Sequence, residues 1–157
     1  MILWIDPWVR KLWYALIKPN GLEIVDSGIL LSEIKSPTRM DQFERMSEIE
    51  EYFTKLLKKY KIQTMCMEQL FFTKFNQNNA EFVYGIRAIL IALCLKYKIQ
   101  IKEITPIQLK KYITGNAKAE KKLVQKCIMK LYNLQECPEF NDAADALWLA
   151  YVAMKVK

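Results

Sequence analysis

The 157 residues suffice for one hydrophobic core and are few for two, and 52% hydrophobic with 12% aromatic content marks a globular chain rather than a disordered one. The chain has no histidine, which excludes a histidine-ligated metal and any Ser-His or Cys-His nucleophile pair; a catalytic metal here takes oxygen ligands, favouring Mg²⁺ or Mn²⁺. The net charge of +7 is concentrated between Lys110 and Lys130, where seven lysines face a single acid, Glu120, and such a window suits a polyanionic partner.

The apolar run Met1–Ile5 predicts a strand that delivers Asp6 directly before Pro7, whose ring restricts Asp6 to an extended conformation. Strands over Lys11–Lys18 and Leu22–Leu31 follow, joined by a Pro19-Asn-Gly21 hairpin turn, with a bulge or twist expected at Asp26-Ser-Gly28. After Ser36-Pro-Thr38, the spacing of Met40, Phe43, Met46, Ile49, Phe53, Leu56 and Tyr60 predicts a long amphipathic helix. Ile62–Glu68 is nearly all apolar, as in a strand covered on both faces, and it ends on Glu68. A loop of aromatics, amides and one lysine spans Gln69–Asn79, and Ala80–Tyr97 reads as a more uniformly apolar helix. Ile99–Ile104 is the last predicted strand, stopped by Thr105-Pro106. A short helix over Pro106–Tyr112, a break at Ile113–Ala117, a helix over Lys118–Leu131, a loop over Tyr132–Phe140 and a final helix over Asn141–Lys155 complete the chain. Three strands followed by helix–strand additions predict a mixed α/β sheet flanked by helices, in one domain over 1–157.

The acids are spaced suggestively. Asp142 and Asp145 are three residues apart, so both project from one face of the first turn after the capping residue Asn141. Taken singly, this pair reads as helix capping as readily as metal binding, and Asp6 or Glu68 reads more readily as a surface acid than as a ligand. Together, two strand-end acids and an i, i+3 pair resemble a carboxylate set that holds two divalent ions for phosphodiester hydrolysis. Lys118, Lys122, Lys126 and Lys130 form an i, i+4 stripe, either a solvated face or a phosphate-binding one. The aromatics and Lys74 of the loop at Phe71–Asn76 suit stacking on unpaired bases, or else pack beneath the loop. Cys66, Cys94, Cys127 and Cys137 lack CxxC spacing and read as reduced, buried thiols, and no apolar run is long enough to cross a membrane, so a cytoplasmic location is expected.

These motifs resemble the RuvC-type Holliday-junction resolvases of the RNase H-like superfamily, over essentially the whole chain. Ile5-Asp6-Pro7 is similar to the first-strand motif and Met67-Glu68-Gln69-Leu70-Phe71 to the strand-end Glu-Gln with its aromatic. Thr105-Pro106, Gln108-Leu-Lys-Lys111 and Thr114-Gly115 resemble the family's linker, and Asp142-Ala-Ala-Asp145 its last helix. The resemblance implies an RNase H-like fold with a five-stranded mixed sheet, and a Mg²⁺-dependent endodeoxyribonuclease with Asp6, Glu68, Asp142 and Asp145 as ligands of two ions, Mn²⁺ being the alternative metal. It implies that Phe71 stacks near the branch point and that Lys110 and Lys121 contact phosphate. With the basic region as read above, Lys74, Lys111, Lys118 and Lys122 join them as candidate DNA contacts. The implied partners are a DNA four-way junction, a second copy packed through helix 80–97, and a RuvA and RuvB branch-migration complex. The rival readings are an RNase H-like nuclease acting on RNA and a junction-binding protein impaired in catalysis.

One departure stands out. The family has glycine where this chain has Trp4, Trp8 and Trp13, and small residues near Trp148. Glycine is also scarce, 4 residues against roughly 11 at the usual ~7%. The pattern suggests UGA codons that specify glycine but are translated as tryptophan; true tryptophans would mean a divergent or impaired nuclease.

Overall fold

The computed structural model describes residues 1–19, 23–34, 36–70 and 80–131. Within them run β1 (Ile2–Pro7), β2 (Lys11–Ile17), β3 (Ile24–Leu31), α1 (Arg39–Lys59), β4 (Thr64–Glu68), α2 (Ala80–Lys96), β5 (Gln100–Ile104), α3 (Pro106–Thr114) and α4 (Lys121–Leu131). The strands form one sheet in the order β3-β2-β1-β4-β5. β1, β2 and β3 pair antiparallel, and β4 and β5 extend the sheet parallel to β1. This is the expected mixed α/β sheet, with β1 at its centre.

Several boundaries differ from expectation for local reasons. β1 runs on through Asp6 to Pro7, which pairs with Leu12 at the very end of the ladder, where a missing N–H is tolerated. The irregularity expected at Asp26–Gly28 falls one residue earlier: Leu16 pairs with Asp26 and Ile17 with Ile24, leaving Val25 as the extra residue. The turn residues 20–22 lie outside the described residues; beside them, the Lys18 N–H donates to the Glu23 carbonyl at 3.0 Å. α3 continues to Thr114 and stops at Gly115, whose φ of 76° suits glycine in a left-handed cap. α4 begins at Lys121, not Lys118. The Asn116 side chain accepts the Lys118 N–H at 2.9 Å and its carbonyl accepts the Ala119 N–H, local bonds that compete with a helical start. The helix expected over 141–155 and the loop before it lie outside the described residues.

Strand alternation divides the buried residues between two faces. Leu3, Ile5, Leu12, Tyr14, Leu16, Met65 and Met67 form one continuous core with α1 and α2. Trp4, Ala15, Ile17, Cys66 and Ile104 are buried outside that cluster, on the opposite face. Thr38 caps α1 in a reciprocal box with Asp41, worth about 1 kcal/mol. Ile49, Phe53, Leu56 and Leu57 of α1 are buried as the periodicity predicts, but Met40 and Phe43 are exposed. Instead, Phe43 packs beside Phe82 of α2, with Arg39 stacked over both rings. At Gly85 of α2 an added Cβ would stand 1.9 Å from the terminal methyl of Met46 on α1, a flexible side chain that fills the space the glycine leaves.

Candidate active site

β1 and β4 run parallel with Ile5 beside Met67, so the next pair along the register is Asp6 and Glu68. Adjacent strands lie about 4.8 Å apart, which sets the two carboxylates side by side at the C-terminal strand ends. Ile5 and Met67 face the α1/α2 core, so Asp6 and Glu68 face away from it. Both are half-buried, and the Oδ1 atom of Asp6 is enclosed. Among the described residues no third acid or cysteine completes a metal cluster with them. Asp142 and Asp145 lie outside the described residues.

Two neighbouring, partly desolvated carboxylates repel each other, and a bound divalent cation relieves that repulsion. The donor set is all oxygen. Cys66, two residues before Glu68 on the same face, does not alter this: burial pushes its thiol up to about 12, against a weaker opposing pull from Lys102. It is therefore protonated at neutral pH, whereas a metal-binding thiol must ionise. The pair thus fits a hard cation such as Mg²⁺ or Mn²⁺.

A cavity of about 610 Å³ opens beside Asp6. Trp8, Arg10, Lys11, Trp13 and Arg45 are among its walls, so the carboxylate shares the cleft with basic side chains and two indoles. Trp13 is the cross-strand partner of Asp6 on β2. Among the described residues, the indole N–H groups of Trp4 and Trp13 are buried and find no acceptor. An unsatisfied buried donor costs about 1–3 kcal/mol.

The candidate phosphate contacts stand on α3, α4 and the turn between them. α3 leaves the sheet next to Glu68, since Glu68 pairs with Ile104 and the Gln69 N–H donates to the Ile104 carbonyl at 2.8 Å. A second capping box, Thr105 with Gln108, fixes its start. Lys110 is half-buried; Lys111, Lys118, Lys122, Lys126 and Lys130 are exposed. Lys121 opens α4, and Lys118 sits in the preceding turn, so the predicted lysine stripe begins outside the helix. Phe71 and Lys74 lie outside the described residues.

Three residues near the acids escaped the sequence reading. Lys102 on β5 shares their face, as the alternation of β5 with buried Ile104 implies. Arg45 and Arg87 are the buried charged residues among those described. Arg45 donates to the carbonyls of Val9 and Leu30 and pairs with Glu48. Arg87 donates to the Glu68 carbonyl at 2.9 Å and to the Glu103 carboxylate. Their signal was available: each is a lone cation on an otherwise apolar helical stripe.

The model of the family described as "Crossover junction endodeoxyribonuclease RuvC" matches residues 2–153. The chain belongs to this family. It is 34% identical over 152 residues to the crossover junction endodeoxyribonuclease RuvC of Alkaliphilus metalliredigens, covering 96% of this chain and 90% of that protein. With the RuvC of Thermosipho melanesiensis it shares 35% identity over 150 residues, covering 96% and 94%. In three dimensions it is similar to Thermus thermophilus RuvC solved with a Holliday junction substrate, at a TM-score of 0.79 and 18% identity, covering 98% of this chain and 94% of that one. The yeast mitochondrial Holliday junction resolvase Ydc2 follows at a TM-score of 0.64 and 17% identity, covering 98% and 77%. These structural matches place the sheet and its helices in the RNase H-like fold.

Proposed function

We infer that this chain is a crossover junction endodeoxyribonuclease that resolves four-way DNA junctions. The observation that carries the reading is the Asp6–Glu68 pair at adjacent strand ends in a chain of the RuvC family. Asp6 and Glu68, joined by Asp142 and Asp145 from the C-terminal segment, would hold two Mg²⁺ ions, with Mn²⁺ as a substitute. When bound, such ions supply an activated water and stabilise the leaving oxygen of the phosphodiester. The chain's own part is to position. The strand ends fix the carboxylates, and the cleft lined by Arg10 and Lys11 draws the DNA backbone to them. Lys110, Lys111, Lys118, Lys121 and Lys122 extend that basic surface beyond the sheet, and Phe71 and Lys74 engage unpaired bases at the branch point.

A symmetric junction calls for two sites. α2 buries Phe82, Ile86, Leu90 and Leu93 against the core yet leaves Tyr84, Ala88, Ala92 and Leu95 exposed along one stripe, which supports a homodimer packed through this helix. A RuvA and RuvB complex would deliver the junction. Among the described residues no helix is long and apolar enough to cross a membrane, in keeping with work on DNA in the cytoplasm.

Among the described residues the indole N–H groups of Trp4 and Trp13 have no acceptor, which supports reading these two as glycine positions. For Trp8 and Trp148 that reading rests on the sequence pattern alone, and glycine at 8 and 13 would open the cleft around Asp6. The test of function is cleavage of a synthetic four-way junction with Mg²⁺, beside linear duplex and RNA. Selective junction cleavage is the expected result; preferential cleavage of RNA, or junction binding without cleavage, would favour one of the two rivals.

A further inference from the structure

We propose that Arg87 is a positioning residue for the metal site, setting the place of Glu68 through its main chain. The inference rests on the reading of Glu68 as a ligand. Arg87 lies on the core side of α2, flanked by buried Ile86 and Leu90, and is itself only 5% exposed. A cation so placed needs fixed partners, because an uncompensated buried charge is strongly unfavourable.

Its two partners belong to two adjacent strands. One guanidinium nitrogen donates to the backbone carbonyl of Glu68, the last residue of β4, at 2.9 Å. The other donates to the carboxylate of Glu103 on β5. Glu103 pairs in register with Met67, so its side chain lies on the core face beneath the strand end. The planar fork of an arginine reaches the two acceptors with two separate nitrogens held in fixed geometry, whereas a lysine offers one nitrogen for both.

The arrangement therefore acts from behind. The Glu68 side chain points to the site face, while its carbonyl is gripped from the helix face. Beyond Gln69 the ladder to β5 ends, so the Arg87 bond and the Gln69-to-Ile104 bond fix the backbone where the ligand is borne. A shift of this carbonyl moves the carboxylate relative to Asp6. Groups that orient a metal ligand in this indirect way typically alter metal affinity by ~10–100-fold when replaced.

The test uses the full chain and reads metal binding apart from activity. Mn²⁺ affinity is measured by electron paramagnetic resonance for the wild type, Arg87→Lys, Arg87→Met and Glu103→Gln, and cleavage of a four-way junction is followed against Mg²⁺ concentration. Arg87→Lys keeps the charge against Glu103 and thus the fold, but gives up the fork. It is expected to weaken Mn²⁺ by about 10-fold or more and to raise the Mg²⁺ needed for half-maximal cleavage by a similar factor. Junction binding in Ca²⁺ should stay unchanged. Glu103→Gln, which leaves the bond to Glu68 in place, should have a smaller effect. A folded Arg87→Lys protein with wild-type Mn²⁺ affinity and Mg²⁺ dependence would overturn the proposal, whatever its melting temperature. Should Arg87→Met fail to fold, Arg87→Lys and Glu103→Gln decide alone. Loss of Mn²⁺ binding in the wild type itself would instead overturn the reading of the site.

Discussion

On the α1/α2 face of the sheet, most polar groups embedded in the apolar packing are answered by partners, the buried side-chain oxygen of Gln42 on α1 being an exception among the described residues. Tyr52 donates to Tyr14, Tyr14 and Tyr60 donate to Asp26, Arg45 donates to the carbonyls of Val9 and Leu30, and Arg87 donates to that of Glu68. On the other face the central strands carry Asp6, Glu68 and Cys66, with Lys102 on the neighbouring edge strand, beside two indoles whose N–H groups have no acceptor among the described residues. One face is built for internal satisfaction, which favours stability. The other sets two like charges, Asp6 and Glu68, side by side, where they gain from a ligand. The contrast teaches that stability and chemistry can be assigned to opposite sides of the same five strands, with the arginines as the link between them.

The sharpest way to break this contrast is at Asp6. Asp6→Asn is expected to abolish junction cleavage while leaving junction binding and the melting temperature intact or slightly raised; retained cleavage would remove Asp6 from the ligand set. Trp4 offers the next largest effect. Removing a fully buried large aromatic side chain ordinarily costs about 3–5 kcal/mol. If Trp4 is a glycine position, Trp4→Gly will instead hold or raise stability in a denaturant melt, and the native protein will weigh less than its translated sequence. A UGG codon at any of the four tryptophans would contradict this.

Titration sharpens the comparison further. The folded Cys66 thiol is raised to about 12 from 9.0, so folded and unfolded chains are both protonated below pH 9 and the full stability is present there. Between pH 9 and 12 only the unfolded thiol ionises, and stability falls by up to about 1.4 kcal/mol per pH unit. Tyr14 is also raised, by burial first and then by the bond from Tyr52, and acts in the same direction at alkaline pH. Melts of wild type and Cys66→Ala across that range should converge as pH rises; parallel curves would show that Cys66 is not the cause. The smallest effect is expected at Lys122, exposed on α4. Lys122→Ala should weaken junction binding and reduce the salt slope by about one, and an unaltered slope would return this stripe to a plain solvated surface.

Much of this was legible in the sequence, because local rules and global fold agree. Apolar runs ending on Asp6 and Glu68 gave both the strands and the position of the acids. Ser36-Pro-Thr38 and Thr105-Pro106 marked two helix starts, and the structure closes each with a capping box, to Asp41 and to Gln108, that the sequence reading did not include. What was not legible depends on tertiary geometry. Nothing local announces that Asn116 will draw Lys118 out of the helix, or that the irregularity falls at Val25 rather than within Asp26–Gly28. The adjacency of Asp6 and Glu68 follows from the β1–β4 register, which the order of elements alone does not fix. Arg45 and Arg87 had a visible anomaly, a charge within an apolar stripe, but their partners are backbone atoms on distant strands.

The parallel pairing of β1 with β4 has a consequence for how the protein is made. Asp6 leaves the ribosome early, yet its neighbour Glu68 arrives only after β2, β3 and α1 have been synthesised. The hairpins can form as they emerge, because their contacts are local, whereas closing β4 onto β1 must overcome the entropy of a long intervening loop. A nascent chain is thus folded in part well before it is able to cut. The order of synthesis keeps Asp6 and Glu68 apart until β4 has joined β1.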